Sequence, residues 1–242
     1  MADADGLNPS AQLRAWGFES PSGHLVLICF DLDGVIADSF AGIVMSINHT
    51  LAEIGQPSEP GDQLGWFVGP PLQVGWERLC LQRGLPPTIA PDLVQVYRRD
   101  YWAHCVERTP AFDGVAELIR SLIGGELVTD ADVAVVTSKA QPVALDIVQN
   151  LVGTIDVYGP SLRSPSEPKT ETLRRALEEL RPNMAIMVGD RSHDIDAATA
   201  NGILSIGVTW GFGDRAELEG ARPDSIVNTP AELAETLVSF AR

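Results

Sequence analysis

Lysine is almost missing from this chain. Only Lys139 and Lys169 occur among 17 basic residues, the rest being arginine, against 33 acidic residues and a net charge of −16. That balance argues against a nucleic-acid partner, since nothing here could neutralise a run of phosphates, and against an anionic membrane surface. Cysteine is scarce too: Cys29, Cys80 and Cys105 are odd in number, far apart and without CxxC spacing. A disulfide framework and a thiolate metal site are therefore not expected, and apolar neighbours make all three read as buried free thiols in a reducing compartment. No stretch has the length of a membrane span, and Met1 to His24 lacks the basic-then-apolar pattern of a signal peptide. The expectation is a cytoplasmic protein with no nucleic-acid and no membrane partner, in which polar residues 1–24 form a flexible extension.

What the chain does have is apolar content, 45% hydrophobic and 21% charged residues over 242 positions, enough for a substantial core with or without a companion domain. The most informative stretch runs Leu25-Val26-Leu27-Ile28-Cys29-Phe30-Asp31-Leu32-Asp33-Gly34. Its unbroken apolar run predicts a strand buried on both faces. Such a strand presents its last side chains at the carboxyl edge of a sheet, where open α/β folds bind ligands. Two carboxylates held there repel, unless a cation lies between them or one keeps its proton.

From Ser39 to Arg108 the periodicity is helical. Phe40, Ile43, Val44, Ile47, Leu51 and Ile54 predict a helix capped by Asp38 or Ser39 and ended by Gly55. Further helices are predicted over Leu72 to Arg83 and Pro91 to Val106, with Trp66, Phe67 and Trp76 in their core. After Thr109, strands alternate with helices: Val133–Val136, Ile155–Tyr158, Ala185–Val188 and Leu204–Val208 are the strand candidates, and a helix is predicted to follow Asp194. The predicted fold class is α/β, a Rossmann-like parallel sheet core (25–38 and 109–242) with helices on both faces. An all-helical insert occupies 39–108.

Three predicted strands end in polar residues: Phe30 into Asp31, Val136 into Thr137, and Val188-Gly189 into Asp190. In a parallel sheet these ends share one edge, so Asp31, Asp33, Thr137 and Asp190 are expected to converge, with Asp194 one turn into the next helix and Asp196 facing solvent. Carboxylates without Cys or His suit Mg²⁺ better than zinc or copper, and such a site suits phosphate chemistry. The two lysines lie beside these motifs, where a compact ammonium is useful. Lys139 reads as a residue that supports the site from behind or lies on its rim, and helical spacing is expected to turn His193 away from Asp190 and Asp194. His24, His49 and His104 have no metal-ligand spacing. The Gly-rich loop Thr209–Asp214 follows a strand and is a further candidate for the same edge.

The set resembles the haloacid dehalogenase superfamily of phosphohydrolases. Its DxDGxxxDS motif stands as Asp31 to Ser39, its strand-end Thr as Thr137, its helix-opening Lys as Lys169, and its GDxxxD motif as Gly189 to Asp194. A helical insert directly after the first motif resembles the subfamily whose cap domain lies there, which includes phosphoglycolate phosphatase-like enzymes. In that subfamily a cap loop faces the active site, and Trp66–Leu72, with its Gly-Pro-Pro turn, resembles it.

The resemblance implies a phosphatase acting on a small phosphorylated metabolite, with Asp31 as nucleophile and Asp33 as acid and base. Mg²⁺ would be held by the side chains of Asp31 and Asp190 and the backbone carbonyl of Asp33, with Asp194 orienting those ligands. Thr137, Ser138 and Lys169 would hold the phosphoryl oxygens. A sugar-phosphate phosphomutase, 5′-nucleotidase or pyrophosphatase of the same superfamily, and a non-catalytic regulator that binds a phosphorylated ligand, are the alternatives. A dehalogenase would need neither Asp33 nor a metal cluster, and the oligomeric state stays open between monomer and homodimer.

Overall fold

The computed structural model describes residues 26–68, 71–162, 164 and 167–241. The expected extension (1–24), Leu25 and the Gly69-Pro70 pair of the cap-loop turn lie outside the described residues. The chain divides into two compact units, a helical one over Ser39–Pro110 and another formed by the segment ending at Asp38 together with Ala111 onward.

The helical unit contains α1 (Phe40–Glu53), α2 (Leu72–Gln82) and α3 (Ala90–His104). Helix α1 buries Ile43, Ile47 and Leu51 along one stripe, as its spacing demands. Phe67 and Trp76 meet edge-on at 5.6 Å, and Tyr97 stacks on Tyr101 at 5.5 Å, forming an aromatic core. Trp66 remains at its edge, half-buried beneath the guanidinium of Arg78, 4.0 Å from the ring centroid. The start of α1 departs from expectation. Ser39 occupies the N-cap position but already has helical angles (φ −85°, ψ −6°), and its side chain makes no capping hydrogen bond. A capping hydroxyl needs extended backbone to reach back over the first turn.

In the α/β unit, six strands form one parallel sheet: β1 (Val26–Phe30), β2 (Ala131–Val136), β3 (Asp156–Tyr158), β4 (Met184–Gly189), β5 (Leu204–Val208) and β6 (Ser225–Val227), in the order β3-β2-β1-β4-β5-β6. Between them lie α4 (Val115–Ile123), α5 (Gln141–Leu151), α6 (Lys169–Leu180), α7 (Ser192–Asn201) and α8 (Arg215–Ala221), and α9 (Pro230–Phe240) closes the unit. Helix α7 begins at Ser192, two residues before Asp194, which places Asp194 within its first turn.

Strand alternation sends Leu27 and Cys29 to one face with Ala134, Val136, Ala185 and Met187. There Leu173, Ala176 and Leu180 of α6 and Ala197 and Ala198 of α7 cover them. Ile28 and Phe30 point the other way and are equally buried, which is why β1 has no polar positions. Helices lie on both faces of the sheet. Cys29 is entirely buried, and burial pushes its thiol up to about 12, an unreactive form. Cys80 and Cys105 are likewise free and buried. Among the described residues no helix is long and apolar enough to cross a membrane.

Strand order positions everything that follows. From β1 the chain winds outward through β2 to β3, then crosses to β4 and winds outward the other way to β6. The reversal falls between β1 and β4, where a doubly wound sheet opens a crevice beyond its carboxyl ends. Phe30 pairs with Val135 of β2 and Val188 of β4, so Asp31, Thr137 and Asp190 leave their strands at nearly the same height.

Candidate active site

Asp31 stays at the sheet edge because its N–H still donates to Val188 O at 2.9 Å. Its side chain is 7% exposed; Oδ1 accepts from the Leu32 N–H at 2.7 Å, and Oδ2 lies 2.8 Å from Lys169 Nζ. Lys169, the first residue of α6, also binds Asp194 Oδ1. Asp194 is completely buried in the first turn of α7, where its Oδ2 accepts from the Arg191 N–H at 3.0 Å as part of a capping box. One ammonium therefore bridges two buried carboxylates from separate motifs.

Burial pushes the Asp31 carboxyl up to about 7; Lys169 pulls it down, while Asp194 and Asp190 push it further up. For Asp194, burial is outweighed by Lys169, His193 and the bonds from Lys169 and the Arg191 N–H, which hold it below the usual range. For Lys169, burial works against the ammonium but Asp194 and Asp31 outweigh it, so its pKa is raised.

Asp190 is completely buried at the end of β4. Its Oδ2 accepts from the Phe212 N–H at 2.7 Å and the Gly213 N–H at 3.3 Å, while its Oδ1 has no hydrogen-bond partner. Burial, then Asp194, pushes its carboxyl up to about 6, partly offset by the Phe212 N–H, Lys169 and the Gly213 N–H. The Thr209–Asp214 loop thus lines this edge, and Trp210 Nε1 ties it to Val35 O at 3.1 Å. Two glycines permit the approach. A Cβ on Gly34, which has φ +87°, would overlap the Asp190 carboxylate, and one on Gly211 would overlap both that carboxylate and the Gly34 carbonyl.

Beyond β1 the chain turns tightly: Leu32 O accepts from the Ile36 and Ala37 N–H groups at 3.0 and 2.8 Å, and the Gly34 N–H donates to Ala37 O at 3.0 Å. Asp33 sits in this turn with Oδ2 3.0 Å from Lys139 Nζ. Lys139 therefore contacts one of these acids directly, a place where the rarity of lysine had pointed. Thr137 is buried at the end of β2, its Oγ1 accepting from the Lys139 N–H at 3.2 Å, and Ser138 is exposed beside it. His193 also departs from expectation: its Nε2 lies 3.8 Å from Asp194 Oδ1. Asp196 is exposed, as its spacing suggested.

Two places here could attract a cation. Ligand atoms of Asp31, His193 and Asp194 lie within 4.8 Å of one another, but the Lys169 ammonium already binds both acids. Asp190 is different: a buried carboxylate oxygen without a donor, beside a second acid raised by burial, lacks a positive partner. An all-oxygen donor set from Asp31 and Asp190 fits a hard cation such as Mg²⁺.

A doubly wound sheet with acids at its switch point, one of them salt-bridged to a buried lysine, and a helical unit inserted after the first strand together define a class of hydrolase fold. The family model for haloacid dehalogenase-like hydrolases matches residues 28–208, and the chain belongs to that family. It is 35% identical over 221 residues to Tyrosine-protein kinase PtkA of Mycobacterium tuberculosis, covering 89% of this chain and 72% of that one. The solved structure of PtkA superposes with a TM-score of 0.70 at 36% identity, covering 87% of this chain and 97% of that one. A 5′-nucleotidase of Pseudomonas aeruginosa is 32% identical over 219 residues (88% and 95% covered). A phosphoglycolate phosphatase of Synechococcus elongatus is 29% identical over 225 residues (89% and 98% covered).

Proposed function

We propose that the protein is a Mg²⁺-dependent phosphatase that hydrolyses a small phosphate monoester, phosphoglycolate or a similar metabolite, through an aspartyl-phosphate on Asp31. An Asp31 oxygen attacks phosphorus in line; the new O–P bond forms as the ester P–O bond breaks, and Asp33 gives its proton to the departing alkoxide. Asp33, now ionised, takes a proton from the water that attacks the aspartyl-phosphate, and the electron pair of the cleaved O–P bond returns to Asp31. Lys169 holds Asp31 in place and offsets charge around the transferred group. Thr137 accepts from the Lys139 N–H and so keeps its hydroxyl proton for a phosphoryl oxygen, next to the backbone of Ser138. Asp31, Asp190 and the backbone carbonyl of Asp33 would hold Mg²⁺, with Asp194 keeping that group oriented through Lys169. The ion would supply positive charge that offsets the phosphoryl group and the carboxylates. We assign the helical unit the role of a cap that excludes water, and we expect the protein to work in the cytoplasm.

The observation that carries this reading is the contrast between two buried acids at the switch point: Asp31 is tied to Lys169, whereas Asp190 Oδ1 has no partner. The test is phosphate release from a panel containing phosphoglycolate, nucleoside monophosphates, sugar phosphates and pyrophosphate, with Mg²⁺ and with EDTA. Release that requires Mg²⁺ and discriminates among the esters is the expected result; full release in EDTA overturns the metal assignment.

The likeness to PtkA supports a second reading, in which a tyrosine hydroxyl takes the place of water as acceptor. A tyrosine peptide added to the same assay separates the two, because transfer labels the peptide whereas hydrolysis releases free phosphate.

A further inference from the structure

We infer that Lys139 is the positioning residue for the acid–base group, fixing the orientation of the Asp33 carboxyl. The inference rests on the phosphatase reading above and concerns a residue that the four motifs do not assign.

Lys139 Nζ lies 3.0 Å from Asp33 Oδ2, and both side chains are largely buried, 11% and 19% exposed. Asp33 Oδ1 is buried and has no hydrogen-bond partner. An ammonium is a donor only. With Oδ2 held by Lys139 and Oδ1 enclosed by protein, the Asp33 carboxyl is fixed in one orientation. Without the lysine, the side chain can turn about its own torsions, so the carboxyl is presented to the leaving oxygen in several geometries. Proton transfer in a transition state is sensitive to such loosening, because the donor must lie within hydrogen-bond reach of the leaving oxygen.

The lysine is itself well anchored. Its N–H donates to Thr137 Oγ1 at 3.2 Å. Its carbonyl packs against Gly159, where an added Cβ would collide with it, and the Gln141 N–H donates to Pro160 O at 3.0 Å. The loop after β2 is thus braced on the loop after β3, and Lys139 carries that rigidity across to the turn after β1. The side chain spans two strand ends separated by about a hundred residues of sequence, so it couples the phosphate-holding loop to the proton donor.

The step at issue is the first one: the ester P–O bond breaks, its electron pair passes to the ester oxygen, and that oxygen takes the proton from Asp33. An alkoxide needs the proton; a nitrophenolate leaves without it. The experiment compares wild type, Lys139→Met, Lys139→Arg and Asp33→Asn on an alkyl phosphate (glycerol phosphate) and on p-nitrophenyl phosphate. In Lys139→Met, kcat for the alkyl ester is expected to fall about 100-fold, the range of a general-acid contribution, and at least about ten times further than kcat for the aryl ester. Asp33→Asn shows the same selectivity, and Lys139→Arg recovers part of the alkyl rate, since a guanidinium also donates to a carboxylate. Equal losses on both esters, or none on either, overturn the inference, as does a Lys139→Arg no better than Lys139→Met. A wild type that releases phosphate from neither ester removes the phosphatase reading and this inference with it, which is a distinct result from unselective loss in the variant.

Discussion

Lys169 is the residue on which the charge balance of the site depends. Its side chain is 3% exposed, and the ammonium lies 2.8 Å from Asp31 Oδ2 and also binds Asp194. Replacing it by methionine leaves two buried carboxylates without their counter-charge, a change that costs about 3–5 kcal/mol when one partner of a buried pair is removed. Lys169→Met is therefore expected to lower the urea midpoint substantially and to lose phosphate release by at least about 100-fold; unchanged stability would contradict the geometry. The acids give a second prediction, with a definite sign. Asp31 and Asp190 have native pKa values of about 7 and about 6, above the free value of 3.8. Between those limits the native state holds protons that the unfolded chain has lost, so stability without metal falls as pH rises through the window and levels off above about pH 7. A divalent cation binds the ionised forms and competes with those protons. Mg²⁺ should raise Tm more at about pH 8 than at about pH 5, and an equal or larger shift at the lower pH would contradict the assignment.

Elements bring these residues together, and the loop from Thr209 to Asp214 does so by backbone. Two of its N–H groups hold Asp190 Oδ2, and Gly211 lies so close that any Cβ would overlap the carboxylate and the Gly34 carbonyl. Overpacking of this kind costs about 1–3 kcal/mol. Gly211→Val should weaken Mg²⁺ activation, measured as a higher Mg²⁺ concentration for half-maximal phosphate release; an unaltered Mg²⁺ titration would show that the loop does not shape the acid pocket.

Much of the architecture was legible in the residue pattern. The apolar run into Asp31, the Val-rich stretch into Thr137 and the strand into Asp190 mark three parallel strands by hydrophobicity alone, and the sheet edge follows. What the pattern lacked was direction. The pairing of Lys139 with Asp33 depends on how two turns fold back across the sheet, and no periodicity encodes that. His193 was misplaced because spacing gives the direction of the Cα–Cβ bond and not the rotamer that brings the ring to Asp194. Ser39 has a capping residue type, but local backbone angles prevent the cap. The partner of Asp190 was hidden because backbone N–H groups of Phe212 and Gly213 leave no side-chain signature.

At the scale of the molecule, the sheet order does the organising. Reversal of winding between β1 and β4 places Asp31 and Asp190 on either side of one crevice, and insertion of Ser39–Pro110 after the first motif puts a separate helical unit directly after the turn that bears Asp33. The chain is strongly acidic, so an anionic substrate must find its positive charge locally; Lys139 and Lys169, its only lysines, both lie on the acids of this site. The event we propose from those features is phosphoryl transfer to Asp31. The most direct measurement is mass spectrometry of protein quenched in acid during turnover of a phosphate ester with Mg²⁺. A phosphoryl adduct confined to the peptide that contains Asp31, absent in Asp31→Asn together with phosphate release, is the predicted result. Turnover at the wild-type rate by Asp31→Asn, with no adduct in either protein, would contradict it.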